Sequence, residues 1–314
     1  MKAVEITETP GFGAGPPQAK TAPSGGSAVR EATSVEAIGL AATFFRALGT
    51  GSKRPGLITA LPKVELALPR VLLDAQHIAR YRQLCGFNDA QGVPLIYPQL
   101  LTFPLVTAYV ISPACPWPAL GTVHLANAIT QQRALSAGDE VRVELASGDL
   151  FSHDKGQVFT LKLRILRGGE LVWSATQSLL RVGVQQTFGT PYTSQIGSDA
   201  ALSCQAEFSA GADIGRRYGA VSGDRNPIHM SVLTARLFGF KRAIAHGMWT
   251  SARALSCLLP SEPLEQAALA VEFKTPLLLP GRASLWSTRS SRGALFEVRD
   301  PTGQRPHLRG QLSC

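Results

Sequence analysis

Apolar and polar residues alternate along two separate tracts of the chain. The first holds four successive stretches, GTVHLANAIT, DEVRVELAS, GQVFTLKLRILR and ELVWSATQSLLRVG. Several of these put an apolar side chain at every second position, the period of a half-buried antiparallel strand. Gly168-Gly169, between the last two, supplies a hairpin turn. The second tract lies near the C-terminus and reads LAVEFKT, ASLWSTRSS, GALFEVRD and RPHLRGQLS. Helical patterns precede each tract. Before the first come VELALP, a helix around DAQHIARYRQLCG and a very apolar helix around QLLTFPLVTAYVI. Before the second come a helix around DIGRRYGAVSG and an apolar helix around HGMWTSARALSCLL.

The order of elements therefore repeats, and the letters repeat with it. Arg80-Tyr81-x-x-Leu84-Cys85-Gly86 aligns with Arg217-Tyr218-x-x-Val221-Ser222-Gly223, and Ile96-Tyr97-Pro98 stands where Ala245-His246-Gly247 stands later. Each half reads as an α+β unit in which one long helix lies across a curved antiparallel sheet. Two such units in one chain can pair their sheets as a built-in dimer. The expected division is a leader over 1–61, an N-terminal unit over 62–190 and a C-terminal unit over 191–314; a homodimer of whole chains is left open. Within the leader, 9–30 is rich in Gly, Pro, Ala and Ser and reads as flexible. SVEAIGLAATFFRALG then predicts a short amphipathic helix, with Ser34 as N-cap and Gly49 at its end. Gly11, Gly13 and Gly15 imitate a phosphate-binding pattern, but no strand precedes them and Pro16-Pro17 opposes the helix that should follow.

Composition narrows the class. The chain has 314 residues, 45% of them hydrophobic, enough for a sizeable core. No apolar run reaches the length of a membrane span, and the first fifteen residues lack the apolar segment of a secretory signal. The five cysteines are odd in number and widely spaced, without a CxxC. That favours reduced thiols in a cytoplasm over a disulfide framework or a zinc site. The net charge of +9 is scattered and has no nucleic-acid-binding setting, so a phosphorylated small molecule fits better than nucleic acid.

Candidate chemistry is confined to the second half. In SGDRNPIHMS, Asp224 and His229 flank Asn226-Pro227. Asn226 can cap a helix and Pro227 can occupy its first position, which puts His229 third and Asp224 on the incoming turn. The proline stiffens the spacing, so a carboxylate and an imidazole can share one water. Either can take its proton while the other returns one to a substrate. A capped helix with a solvated histidine would show the same letters. Further on, His246-Gly247-Met248 opens the apolar helix, where unpaired N–H groups and Gly247's lack of a side chain suit a developing oxyanion. His246 reads as a hydrogen-bonded residue that shapes this turn. The equivalent first-half positions carry Phe87, no histidine, and Pro98, which has no N–H. Only the second half is equipped for catalysis.

SGDRNPIHMS followed by AxxxGFxxxIAHGM resembles the signature of the MaoC-like dehydratases, R-specific enoyl-CoA hydratases with a hot-dog fold. The match runs through Gly223, Asp224, Asn226, Pro227, His229, Ala235, Gly239, Phe240, Ile244, Ala245, His246, Gly247 and Met248. LCGFND, YPQLLTFPL and VHLANAITQQRALSAGD are similar to a degenerate unit of two-unit members, so the resemblance covers about residues 62–314. It implies a double hot-dog fold and reversible hydration of trans-2-enoyl thioesters to (3R)-3-hydroxyacyl thioesters. Asp224 and His229 would activate water and the Gly247 N–H would hold the thioester oxygen, with no metal or redox cofactor. The thioester would be carried on CoA or an acyl-carrier protein. Arg225, Asn226, His246 and Met248 are then expected around the substrate, with Lys241 and Arg242 near the CoA phosphates. The apolar stretch 100–111 could line an acyl tunnel, though most of it reads as core, and Phe87 and Asn88 would tune chain length. A hot-dog thioesterase and a non-catalytic acyl-thioester-binding protein are the rival readings.

Overall fold

Two long hairpins organise the first half. The computed structural model describes residues 33–34, 49–53, 58–119, 121–185, 187–194, 196, 201–290 and 293–314. In chain order these form β1 (Thr33–Ser34), β2 (Glu65–Leu72), α1 (Ala75–Cys85), α2 (Pro98–Ile111), β3 (Thr122–Gln131), β4 (Glu140–His153), β5 (Gly156–Arg167) and β6 (Glu170–Val182). The second half has β7 (Ser203–Ala210), α3 (Ile214–Ser222), α4 (Pro227–Met230), α5 (Val232–Arg236), α6 (Gly247–Leu258), β8 (Ala267–Phe273), β9 (Gly281–Ser290), β10 (Gly293–Arg299) and β11 (Pro306–Ser313). Gly168 and Gly169 join β5 to β6, both at positive φ as a two-residue hairpin turn requires. The helix expected over 34–49 lies almost wholly outside the described residues, as does most of the leader.

The strands make one sheet of order β1-β2-β4-β5-β6-β3-β8-β11-β10-β9-β7. All neighbours are antiparallel except β1 on β2. From the centre outward, β3-β6-β5-β4-β2 on one side matches β8-β11-β10-β9-β7 on the other. This is the duplicated unit expected from the repeat and the double hot-dog fold implied by the resemblance, with β3 and β8 as the seam (Ile129 opposite Leu269, Asn127 opposite Val271). Strand β7 has no counterpart among the predicted strands. It is an edge strand with mostly exposed or half-exposed side chains, so it carries little apolar alternation.

The central helices differ in their duties. Helix α6 packs on β10 and β11. Helix α2 begins with Pro98, contains Pro104 and packs on β2, β4 and β5. Between the halves, Tyr81 of α1 faces Tyr218 of α3 at 6.3 Å between ring centroids. Tyr81 also meets Tyr97 at 5.3 Å, and Tyr218 meets His246 at 4.9 Å. The aligned letters of the two halves thus occupy matching places.

Candidate active site

Helix α3 ends at Gly223, whose backbone is left-handed (φ 80°) and turns the chain toward Asp224. One Asp224 carboxylate oxygen, Oδ1, accepts from the Asn226 N–H at 3.1 Å, the bond of an Asx-turn. Asn226 then caps α4 through the Ile228 N–H, Pro227 takes the first helical position and His229 the third, as the letters predict. This loop rests directly on α3 at two glycines one turn apart. A Cβ on Gly215 would stand 1.9 Å from the His229 carbonyl oxygen, and one on Gly219 2.7 Å from that of Asp224. The pair was not singled out in the sequence, where Gly215-x-x-x-Gly219 reads as weak helix.

The hydrogen bonds fix the state of both histidines. His229 Nδ1 lies 2.8 Å from the Ile244 carbonyl oxygen, which can only accept, so Nδ1 carries the hydrogen and Nε2 keeps its lone pair. His246 Nε2 lies 2.9 Å from the Asp224 carbonyl oxygen and therefore donates to it. The His246 Nδ1 lone pair is buried without a hydrogen-bond partner among the described residues. The two rings stack at 3.7 Å. Burial pushes His229 below the usual histidine range, against the pull of the Asp224 charge and the Ile244 carbonyl. Burial and then His229 push His246 down to about 3. His246 also lies 3.7 Å from Asp224 Oδ2, but a neutral ring makes no ion pair there; the bond to the carbonyl is the one that holds. Ligand atoms of Asp224, His229 and His246 lie within 4.8 Å of one another. One nitrogen of each ring is already committed to a carbonyl, and the second on His246 is sealed from solvent. The set suits proton transfer better than cation binding.

These groups open on a cavity of about 1140 Å³. Asp224, His229 and Gly247 line it, as do Arg225, Asn226, His246 and Met248. Gly247 is the first residue of α6, and its N-cap His246 makes no capping bond because its ring is engaged with Asp224. A Cβ on Gly247 would meet the Phe273 ring at 2.6 Å, so tight packing and an open N–H demand glycine together. Met248 is held by Asn127, whose Nδ2 donates to the Met248 Sδ at 3.8 Å. Lys241 and Arg242 are exposed and do not line the cavity, and Arg242 donates to the Pro280 carbonyl instead.

The first half supplies much of the apolar lining. Phe103, Val106, Thr107, Val110 and Ile111 of α2 face the cavity at helical spacing, while Leu105 and Tyr109 on the other side are fully buried. The helix is apolar all round because it has two apolar duties. Phe87 is buried and stacks on Tyr81 at 6.2 Å, and Asn88 caps the turn at 89–91. Neither lines the cavity. Two residues not singled out in the sequence also line the cavity, His124 of β3 and Phe273 of β8. His124 donates through Nε2 to the Ala126 carbonyl at 3.1 Å and is pushed down by burial to about 4. It meets Phe273 edge-on at 4.9 Å.

Comparison with known proteins gives a concordant picture. The family model described as MaoC like domain matches residues 195–277. The 3-hydroxyacyl-thioester dehydratase X of Mycobacterium tuberculosis is 31% identical over 248 residues, 79% of this chain and 88% of that protein. The crystal structure of HtdX from the same organism superposes with a TM-score of 0.69 at 29% identity, covering 79% of this chain and 98% of that one. A MaoC-like dehydratase from Phytophthora capsici shares the fold at 16% identity (TM-score 0.66, 81% of this chain and 95% of that one). A further M. tuberculosis protein described as having a double hot-dog fold does so at 11% (TM-score 0.51, 82% and 96%). By its identity to a dehydratase over most of both chains, this protein belongs to the MaoC-like dehydratase family.

Proposed function

We propose that this chain catalyses the reversible hydration of trans-2-enoyl thioesters to (3R)-3-hydroxyacyl thioesters, with CoA as the carrier. The observation that carries the reading is the pairing of the bare Nε2 of a neutral, buried His229 with the Asp224 carboxylate in one cavity, beside the open helix start at Gly247. Water held by the pair loses a proton to it as its oxygen bonds to C3. The electron pair of the C2–C3 double bond shifts into C1–C2 and the carbonyl pair moves onto the thioester oxygen, where the Gly247 N–H and the helix start stabilise the charge. The pair then holds one proton more than before. Delivery of that proton to C2 completes the addition and restores the resting site. The reverse sequence expels water. The catalytic groups all belong to the expected unit 191–314; the degenerate unit 62–190 contributes the α2 face that would receive the acyl chain.

Assay with crotonyl-CoA and longer trans-2-enoyl-CoAs tests this. Loss of enoyl absorbance with chiral analysis showing the 3R alcohol is the expected result. Release of free thiol without hydration would assign a thioesterase, and binding without turnover a non-catalytic thioester-binding protein.

A further inference from the structure

The loop bearing Asp224 is held from the unit that lacks the Asp/His pair. His77 sits on the first turn of α1, where Asp74 caps its backbone N–H at 2.6 Å. Its Nε2 lies 2.8 Å from the carbonyl oxygen of Val221. Val221 belongs to the last turn of α3, three residues before Asp224, and its carbonyl is one of the four that the helix leaves without an internal partner. A carbonyl only accepts, so His77 Nε2 carries the hydrogen. In the neutral ring Nδ1 is then bare, and it faces the Tyr97 hydroxyl at 2.8 Å, which can donate to it. Tyr97 thus selects the tautomer of His77 that can reach Val221. Beside this bond, Phe103 of α2 packs against Gly223, the next turn of the same loop, with a ring carbon 3.4 Å from where a Cβ would stand.

The repeat shows that this contact has become specialised. The carbonyl matching Val221 in the other half is that of Leu84, held across the seam by Trp249 Nε1 at a longer 3.4 Å. The position matching His77 in the second half is Ile214, which offers no side-chain donor. The shorter bond, from a donor with its own orienting hydroxyl, therefore stands on the side that carries Asp224.

We infer that Tyr97 and His77 of the degenerate unit are positioning residues that set the Asp224 loop for catalysis. This rests on the hydration reading above for its kinetic consequence, but not for its structural one. The experiment compares His77→Ala, His77→Gln and Tyr97→Phe in the full chain, by steady-state kinetics on crotonyl-CoA and by amide exchange across 222–226. Gln can place an N–H donor near the position of Nε2, and Ala cannot. In His77→Ala, kcat should fall about 10- to 100-fold with KM nearly unchanged, the scale of a misplaced catalytic group. Exchange at Gly223, Asp224 and Asn226 should quicken by roughly tenfold, the worth of one hydrogen bond. His77→Gln should recover most of both effects, and Tyr97→Phe should fall between. If His77→Ala does not fold, a kcat in Tyr97→Phe several-fold below that of His77→Gln supports the assignment, and equal values overturn it. Unchanged exchange in a folded His77→Ala, or a His77→Gln as impaired as His77→Ala, also overturns it. A wild-type protein inactive on enoyl thioesters would refute the reaction instead, and the exchange data would still decide the positioning.

Discussion

His246 donates from Nε2 to the Asp224 carbonyl while the same ring stacks on His229 at 3.7 Å. One neutral side chain therefore touches both members of the proposed acid/base pair. Were it to ionise, two imidazolium rings would lie face to face whenever His229 took a proton. Burial keeps that from happening.

The first prediction follows from this division of labour. Asp224→Asn and His229→Gln should each lower kcat by about 10²–10⁴-fold, as removal of an acid/base group does. His246→Phe keeps a ring on His229 and loses the donor to Asp224, so it should reduce kcat less than either. Gel filtration and circular dichroism should show a native fold in all three. A His246→Phe protein as inactive as His229→Gln would give His246 a direct part in proton transfer.

Stability should depend on pH in a direction that the buried histidines set. His124 is pushed down to about 4, His246 to about 3, and His229 lies below its usual range. The unfolded chain, with ordinary histidines near ~6.5, binds more protons than the folded one below that value. Stability should be full above this range and fall progressively as the pH drops from it toward the folded values. Thermal melts between neutral and mildly acidic pH check it. His124→Asn should flatten the slope, and a melting temperature that stays level on acidification of the wild type would contradict the assignment.

Much of this arrangement is legible in the letters, for physical reasons. Alternation declares the long strands, and the repeated Arg-Tyr-x-x-x-x-Gly declares the duplicated unit, because both are local patterns. The Asp224–His229 spacing is legible because a proline and a capping asparagine fix the backbone between them. What stays hidden comes from the other half or from the back of a helix. His124 and His77 act across the seam, and no local pattern marks a strand or helix residue whose partner is distant in the chain. Gly215 and Gly219 look like poor helix formers until the loop lying on them is seen. Strand β7 is hidden because an exposed edge needs no apolar face.

That helix back gives a sharper test of loop position. Gly219→Ala places a Cβ 2.7 Å from the Asp224 carbonyl oxygen, a backbone atom that can move only with the loop. The expected outcome is a kcat lower by about 10²-fold from a displacement on the ångström scale. A stability loss of about 1–3 kcal/mol from overpacking should accompany it. Denaturant titration separates the two effects, and unaltered turnover would show that the loop tolerates the shift.

If the proposed function holds, the residues lining the cavity shift the expected carrier contact from Lys241 and Arg242 to Arg225. Arg225 is exposed and lines the cavity, whereas Lys241 and Arg242 lie off it. Arg225→Ala should therefore raise KM for enoyl-CoA more than the Lys241→Ala, Arg242→Ala double variant does, with kcat nearly constant in both. The effect should shrink as salt rises and vanish with a thioester that lacks the nucleotide. An equal rise on truncated and complete thioesters would place Arg225 in the reacting centre rather than at the phosphates.

Chain length should be governed by the cavity face of α2. Phe103 and Val110 lie on that face two turns apart, about 10 Å along the axis. Phe103 is the end near the acid loop, since it packs on Gly223. Val110 therefore lies farther from the Asp224 loop, along the face an acyl chain would follow. Val110→Trp should leave crotonyl-CoA turnover close to wild type and suppress hydration of hexadecenoyl-CoA, because only the longer chain reaches the added ring. Leu105→Ala on the opposite face supplies the contrast. Leu105 is fully buried on the side away from the cavity, so its loss should cost about 2–5 kcal/mol of stability and leave the short-to-long ratio of kcat/KM unchanged. A ratio that shifts equally in both variants would mean that the acyl chain does not run along α2.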